Sequence, residues 1–294
     1  MKVAFYPGCV SKGACPELYV STQKICEALG LELHELYEAA CCGAGVLSEQ
    51  NPGLTDSLNG LTLAMAERVD ADLMTICSTC QGVLSGHNYH FQRNPERLAK
   101  ANEVLAESGY HYSGTTKVKH LLWILVEDIG LDNIRPLVKR RLTGLKVAPF
   151  YGCYILRPEE YLGIKERPER KNYLEQIIAL LGAEPVEYHG KSKCCGFPMV
   201  TMNRDASLTM GGKHMLEAKG KGADLLVTPC PLCHLNLDAQ QPDAARVMKT
   251  EIDVPIFHLP QLLGLAFGFS PEELRLNRHV VSTSKALAKV ELKV

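Results

Sequence analysis

The chain has 294 residues, 46% of them hydrophobic, and sets 32 basic against 33 acidic side chains for a formal net charge of -1. That balance excludes a dedicated nucleic-acid binder, which would carry a basic excess. No apolar run approaches the ~20 residues of a membrane span, the longest being Leu121–Val126, and Met1–Cys9 lacks the apolar core of a signal peptide.

In chain order, Val3-Ala4-Phe5-Tyr6 predicts a strand that leads through Pro7-Gly8 to Cys9. A helix then ends at Ile25–Leu29, with Gly30 in the position where a left-handed residue closes a helix. Leu31–Tyr37 is extended and runs into Cys41-Cys42-Gly43. Leu58–Arg68 is helical, and Ala71–Ile76 is a strand leading to Cys77-Ser78-Thr79-Cys80. Residues 86–112 read as a helical insertion, and Lys119-His120-Leu121-Leu122 opens a final apolar helix. After a link at residues 135–145 the order recurs. Val147–Phe150 leads to Cys153, and a helix over Ile178–Leu181 ends at Gly182. Ala183–Tyr188 precedes Cys194-Cys195-Gly196, and Leu208–Lys219 is helical. Ala223–Thr228 leads to Cys230-Pro231-Leu232-Cys233, and Phe257-His258-Leu259-Pro260 opens the last apolar helix.

Alternating strands and helices predict an α/β fold of short parallel sheets with flanking helices. Written twice, they predict two pseudo-symmetric Rossmann-like domains, over residues 1–140 and 145–294. Cys9, Cys77, Cys153 and Cys230 each stand just past a predicted strand, at the sheet edge where open parallel sheets bind ligands.

Ten of the twelve cysteines belong to this repeat. The first set is Cys9, Cys41, Cys42, Cys77 and Cys80; the second is Cys153, Cys194, Cys195, Cys230 and Cys233. The gap from first cysteine to pair is 31 residues in one copy and 40 in the other, while both place 34 residues between pair and CxxC. Such spacing predicts a metal or cluster site rather than disulfides or plain buried thiols. Structural zinc takes four ligands, as does an ordinary iron–sulfur cubane, so each set holds one thiolate more than either needs. A chain of this length has no need of disulfide staples, so a reducing, cytoplasmic setting is expected. Cys26 reads as a core thiol and Cys15 as a bystander.

With these motifs the chain resembles the CCG-domain family typified by the cysteine-rich B subunit of the heterodisulfide reductase of methanogenic archaea, over nearly its full length. The resemblance implies that each five-cysteine set holds a noncubane 4Fe-4S cluster, with zinc in one half as the alternative. It implies reduction of the coenzyme M–coenzyme B heterodisulfide to two thiols; with the two sheet edges expected to face each other, the disulfide is expected to split between the two clusters. It also implies two partner subunits of the reductase, one ferredoxin-like with iron–sulfur clusters and one flavin-containing, fed by a hydrogenase or formate dehydrogenase, with no nucleic acid and no direct membrane insertion.

That substrate is anionic at both ends. Lys12, Lys191, Lys193, Arg204, Lys213 and His214 lie near the motif cysteines in sequence and are candidate anchors; the plain alternative for each is a solvated surface side chain. His87 and His234 are candidate proton donors to the departing thiolates. His120 and His258 recur at equivalent places and read as structural. Two rival readings remain. One is an electron-transfer subunit of a lactate/glycolate- or fumarate-type oxidoreductase, although the ferredoxin-type Cx2Cx2Cx3CP run that many of those carry is absent. The other is a zinc-stabilised scaffold.

Overall fold

The computed structural model describes residues 1–292; Lys293 and Val294, the last two residues of the second predicted domain, lie outside the described residues. Eight strands form two sheets. In the first half they are β1 (Lys2–Tyr6), β2 (Glu32–Glu35), β3 (Leu73–Thr75) and β4 (Val118–His120). In the second half they are β5 (Lys146–Pro149), β6 (Glu184–Pro185), β7 (Leu225–Thr228) and β8 (Ile256–His258). The strand orders are β2-β1-β3-β4 and β6-β5-β7-β8, and every pairing is parallel. This is the doubly wound α/β architecture that the sequence predicts. Strand order reverses between β1 and β3, and between β5 and β7, so each sheet opens a crevice at its carboxyl edge there. Cys9 and Cys77 follow the first of these strand pairs, and Cys153 and Cys230 the second.

Alternation along the strands sorts side chains into two apolar layers. Val3 and Phe5 enter one layer, Ala4 and Tyr6 the other. Each layer continues through the second sheet: Val147, Ile177 and Leu263 join Val3, while Ala148, Phe150 and Leu226 join Ala4. The halves are also pinned at the surface. Arg170 donates to Glu127 at 2.6 and 2.9 Å, and its guanidinium lies 3.9 Å from the centre of the buried Trp123 ring.

Helix boundaries follow local chemistry. Asn51 caps Pro52–Arg68, Asn94 caps Pro95–Ala106 and Asn203 caps Arg204–Gly220, each side chain accepting from a backbone N–H of the first turn. The predicted insertion is helical, formed by the end of Ser78–Arg93 together with Pro95–Ala106. The second half keeps a shorter counterpart, a helical turn at Pro231–His234 and a helix over Gln241–Met248. Its longer first gap is filled by turns and the 3-10 segment Pro168–Asn172, where the first half has its helix Pro16–Ala28. Two π-helical turns, Ile124–Ile129 and Leu235–Ala239, have no signature in the sequence pattern.

Candidate metal centres

Each set of five cysteines comes together at the carboxyl edge of its own sheet. A cavity of about 280 Å³ is bordered by Cys9, Cys41, Cys42, Cys77 and Cys80. A second, of about 320 Å³, is bordered by Cys153, Cys195, Cys230 and Cys233, and Cys194 lies beside Cys153. Cys9 and Cys41 stand with their sulfurs 3.6 Å apart, as do Cys42 and Cys80. Two thiolates on one tetrahedral metal would be about 3.8 Å apart. The outermost sulfurs are matched between halves: Cys9 and Cys41 are exposed and Cys153 and Cys194 half-buried, while the other six are buried.

The backbone is shaped to these sulfurs. Gly8 has φ +78, and a Cβ there would stand 3.2 Å from Cys80 Sγ; Gly152 has φ +70, and a Cβ there would stand 2.9 Å from Cys233 Sγ. Positive φ and close approach together call for glycine. Gly43 and Gly196 follow the cysteine pairs and also take positive φ, bending the chain so that both cysteines of a pair reach one cavity. The Gly43 N–H donates to Cys41 Sγ at 3.5 Å, the Gly196 N–H to Cys194 Sγ at 3.4 Å, and the Phe197 N–H to Cys195 Sγ at 3.4 Å. Amide donors of this kind stabilise sulfur ligands and tune a cluster's potential.

Without a cation these sulfurs cannot all ionise. Proton sharing with Cys42, together with burial, pushes the Cys80 thiol up; Cys195 and burial do the same to Cys233. A bound iron centre removes that penalty, since thiolates are the ligating form and metal binding releases their protons. The surplus of thiolates, the amide donors and the glycine cradles fit an iron–sulfur group in each half.

The two sets face one another. Ala44, Thr79, Phe197 and Leu232 border both cavities. Cys77 and Cys230 lie within hydrogen-bonding reach across the boundary, and Ser78 Oγ donates to the Pro229 carbonyl at 3.3 Å. The larger cavity is walled by Tyr151, Tyr154, Phe197, Pro198, Val200 and Leu232, and among the described residues its one charged lining side chain is Glu49. Through Gly45, Glu49 and Tyr154 it adjoins a further cavity of about 310 Å³ that holds His87, His90 and Arg97.

The candidate anchors are dispersed. Lys12 borders a small separate cavity with Cys9 and Cys41, paired to Glu35 and 5.1 Å from the Tyr37 ring centre. Lys191 is held between Glu175 at 2.7 Å and Glu187 at 2.9 Å, and Arg204 is paired to Asp243. Lys193 and Lys213 are exposed. His214 meets the Cys194 carbonyl at 3.1 Å, and burial pushes its pKa down. None of the six borders either cysteine cavity. Of the histidines, His87 reaches the adjoining cavity but is held by Asp56 at 2.7 Å, while His234 is buried beneath the second CxxC and lines neither cysteine cavity. The wall residues Tyr154, Phe197, Val200 and Leu232 are not among the sequence candidates. Phe197 directly follows the Cys-Cys-Gly motif and Leu232 lies inside the CxxC, so their place in the motifs is the signal that points to them.

Comparison with known proteins gives four findings. A family model described as "Cysteine-rich domain" (CCG) matches residues 3–85 and 147–238. The chain is 36% identical to a protein of Wolinella succinogenes named 8-methylmenaquinol:fumarate reductase membrane anchor subunit, over 96% of this chain and 98% of that one. It is 31% identical to the B subunit of a ferredoxin/F(420)H(2)-dependent CoB-CoM heterodisulfide reductase of Methanosarcina acetivorans, over 98% and 97% respectively. A crystal structure of a hypothetical protein from Helicobacter pylori shares the fold, with TM-score 0.75 and 14% identity, over 95% of this chain and 51% of that one. Among the described residues, no helix is long and apolar enough to cross a membrane.

Proposed function

The chain belongs to the cysteine-rich CCG family that includes the heterodisulfide reductase B subunits, and on that premise we propose that it is the substrate-reducing subunit of an oxidoreductase, holding one noncubane 4Fe-4S cluster in each five-cysteine set and cleaving a disulfide in the cleft between them. The observation that carries this reading is the shared wall of the two cavities, formed by Ala44, Thr79, Phe197 and Leu232. When bound, the clusters supply one electron each to a bond whose cleavage takes two.

The chain's own residues do the rest. Phe197, Val200, Leu232 and Tyr154 present apolar surface to the bond and keep water from it. The amide donors at Gly43, Gly196 and Phe197 hold sulfur ligands in place. A disulfide of the coenzyme M–coenzyme B type carries anionic ends. The cleft offers Glu49 and no cation among its described lining residues, so one end is directed past Tyr154 toward His90 and Arg97. Electrons enter from a ferredoxin-like partner on the side of the exposed Cys9 and Cys41, with a flavin-containing partner and a hydrogenase or formate dehydrogenase upstream.

The test is iron, zinc and sulfide content of anaerobically purified protein, with an EPR spectrum taken after adding coenzyme M thiol under oxidising conditions. About eight irons per chain and a new thiol-dependent signal are expected. Iron in one half only, or no response to thiol, would refute disulfide reduction between two clusters.

A second reading is favoured by the apolar cleft and by the likeness to the fumarate reductase anchor protein. In it, the paired centres relay electrons between a quinol and a fumarate-reducing partner. Oxidation of a menaquinol analogue, with no turnover of the heterodisulfide, would select it.

A further inference from the structure

Apart from the ten motif cysteines, four buried side chains converge from both halves. Cys15 stands at the start of the Pro16–Ala28 helix and Glu17 in its first turn. His234 ends the helical turn after Cys233, and His258 ends β8. Their relative exposures are 0%, 4%, 4% and 0%, and one ligating atom from each lies within 4.8 Å of all the others. His258 Nε2 is 3.4 Å from Glu17 Oε1, and the His234 and His258 rings stack with centres 3.9 Å apart, so binding of one ion by both imidazoles turns one ring out of the stack.

The group is under-satisfied in the free chain. His234 Nδ1 is buried without a hydrogen-bond partner, whereas the His258 side chain accepts from the backbone N–H at the third position of the following helix as half of a capping box and turns Nε2 toward Glu17. Cys15 Sγ meets the Pro231 carbonyl at 3.9 Å and lies within hydrogen-bonding reach of Glu17. Burial of a polar atom without a partner is destabilising. The equivalent residues of the sequence repeat are held differently. His120, the counterpart of His258, meets the Pro229 carbonyl at 2.9 Å and accepts from the Leu122 N–H at 3.0 Å. Pro260 stands where Leu122 would be and has no N–H to give. Gln81, the counterpart of His234, donates to Ser85 at 2.8 Å and to the Val118 carbonyl at 3.0 Å, although its own Oε1 is also buried without a partner. Tyr161, the counterpart of Glu17, packs over Gly86.

We propose that Cys15, Glu17, His234 and His258 bind a single divalent metal of the zinc class, separate from the cluster cysteines, that clamps the first half to the second. One thiolate, one carboxylate and two imidazoles form a set typical of zinc, and its two negative charges neutralise the ion. All four positions are filled by protein, so the site is structural and not open to substrate. The surroundings act as supports. Arg278 donates to the outer oxygen of Glu17 at 3.0 Å. His279 Nδ1 faces His234 Nε2 at 3.5 Å, which leaves His234 Nδ1 as the free ligand atom. Because His234 directly follows Cys233, the ion fixes the helical turn that carries the last cysteine of the second set.

The test uses the intact protein, purified anaerobically without chelator and supplied with zinc chloride. Zinc per chain is measured, and the ion's surroundings are read by X-ray absorption at the zinc edge. One zinc is expected, with one sulfur at about 2.3 Å and three nitrogen or oxygen neighbours at about 2.0–2.2 Å. Cys15→Ser removes the sulfur neighbour, and His258→Gln lowers zinc content severalfold while iron content holds. Failure to retain zinc, a shell of four sulfurs, or unchanged zinc in His258→Gln would each overturn the proposal. Should the variants fail to fold, the wild-type spectrum decides alone.

Discussion

Thr79 Oγ1 stands 3.7 Å from Cys230 Sγ, so a hydroxyl inside the CxxC of one cysteine set reaches a sulfur of the other. Against a ligating thiolate the hydroxyl donates, and that donation favours the more electron-rich state of the second centre. Thr79→Val keeps the shape and removes the donor. The expected result is a fall in the second cluster's potential on the order of 40 mV, from a hydrogen bond of about 1 kcal/mol, with the first cluster unmoved. EPR-monitored redox titration measures both.

Gly152→Ala tests the glycine cradle. Its Cβ would meet Cys233 Sγ at 2.9 Å, on a backbone with φ +70. Strain of about 1–3 kcal/mol, added to the contact, is expected to displace Cys233 and empty the second set. Iron analysis should then show roughly half the wild-type content, the first set keeping its own.

Asp56 gives the pH dependence. Burial raises its carboxyl pKa, but hydrogen bonds and charge from His87 and Arg97 outweigh that and hold it below the ordinary value. Arg97 binds it with two hydrogen bonds, at 2.8 and 2.6 Å. A lowered carboxylate contributes stability that is present above its unfolded value, near 3.8, and is lost as pH falls through the folded one. Asp56→Asn is therefore expected to cost about 1–2 kcal/mol at neutral pH, the gap to wild type narrowing toward acid. Denaturant midpoints across the pH range measure it.

Glu49 discriminates between substrates. As the charged side chain bordering the cleft, it opposes an anionic ligand and is indifferent to a neutral one. Removing a unit charge ~4 Å from the ligand is worth about 1 kcal/mol where water screens it fully. Glu49→Gln is thus expected to lower KM for the heterodisulfide several-fold with kcat unchanged, and to leave a menaquinol analogue unaffected. Steady-state kinetics on both substrates separate the two readings.

Much of the fold and of the cysteine sites is legible in the sequence. The cysteine spacing, the strand before each leading cysteine and the glycine after each pair are local features, and local features survive in sequence. Gly30 and Gly182 mark their helix ends, and both take positive φ. What sequence hides is partnership. Lys191 reads as a free cation until folding puts Glu175 beside it, and Arg204 until Asp243 arrives. His258 looks like the equal of His120 because both end a strand before an apolar helix. They differ through Pro260, Glu17 and His234, two of which are distant in the chain. The extra length before Cys194 is visible as a count, but its form as turns over 154–172 is not, since no periodicity marks them.

The apolar layers that run through both sheets have made the repeat indivisible. Each layer contains residues of both copies, Val3 with Val147 in one and Ala4 with Ala148 in the other, so separating the copies would break both layers. Two copies bound in this way drift under a common constraint. Their chemistry is free to diverge only where they meet, as at Gln81 and His234, while the interior of each keeps answering to changes in its twin.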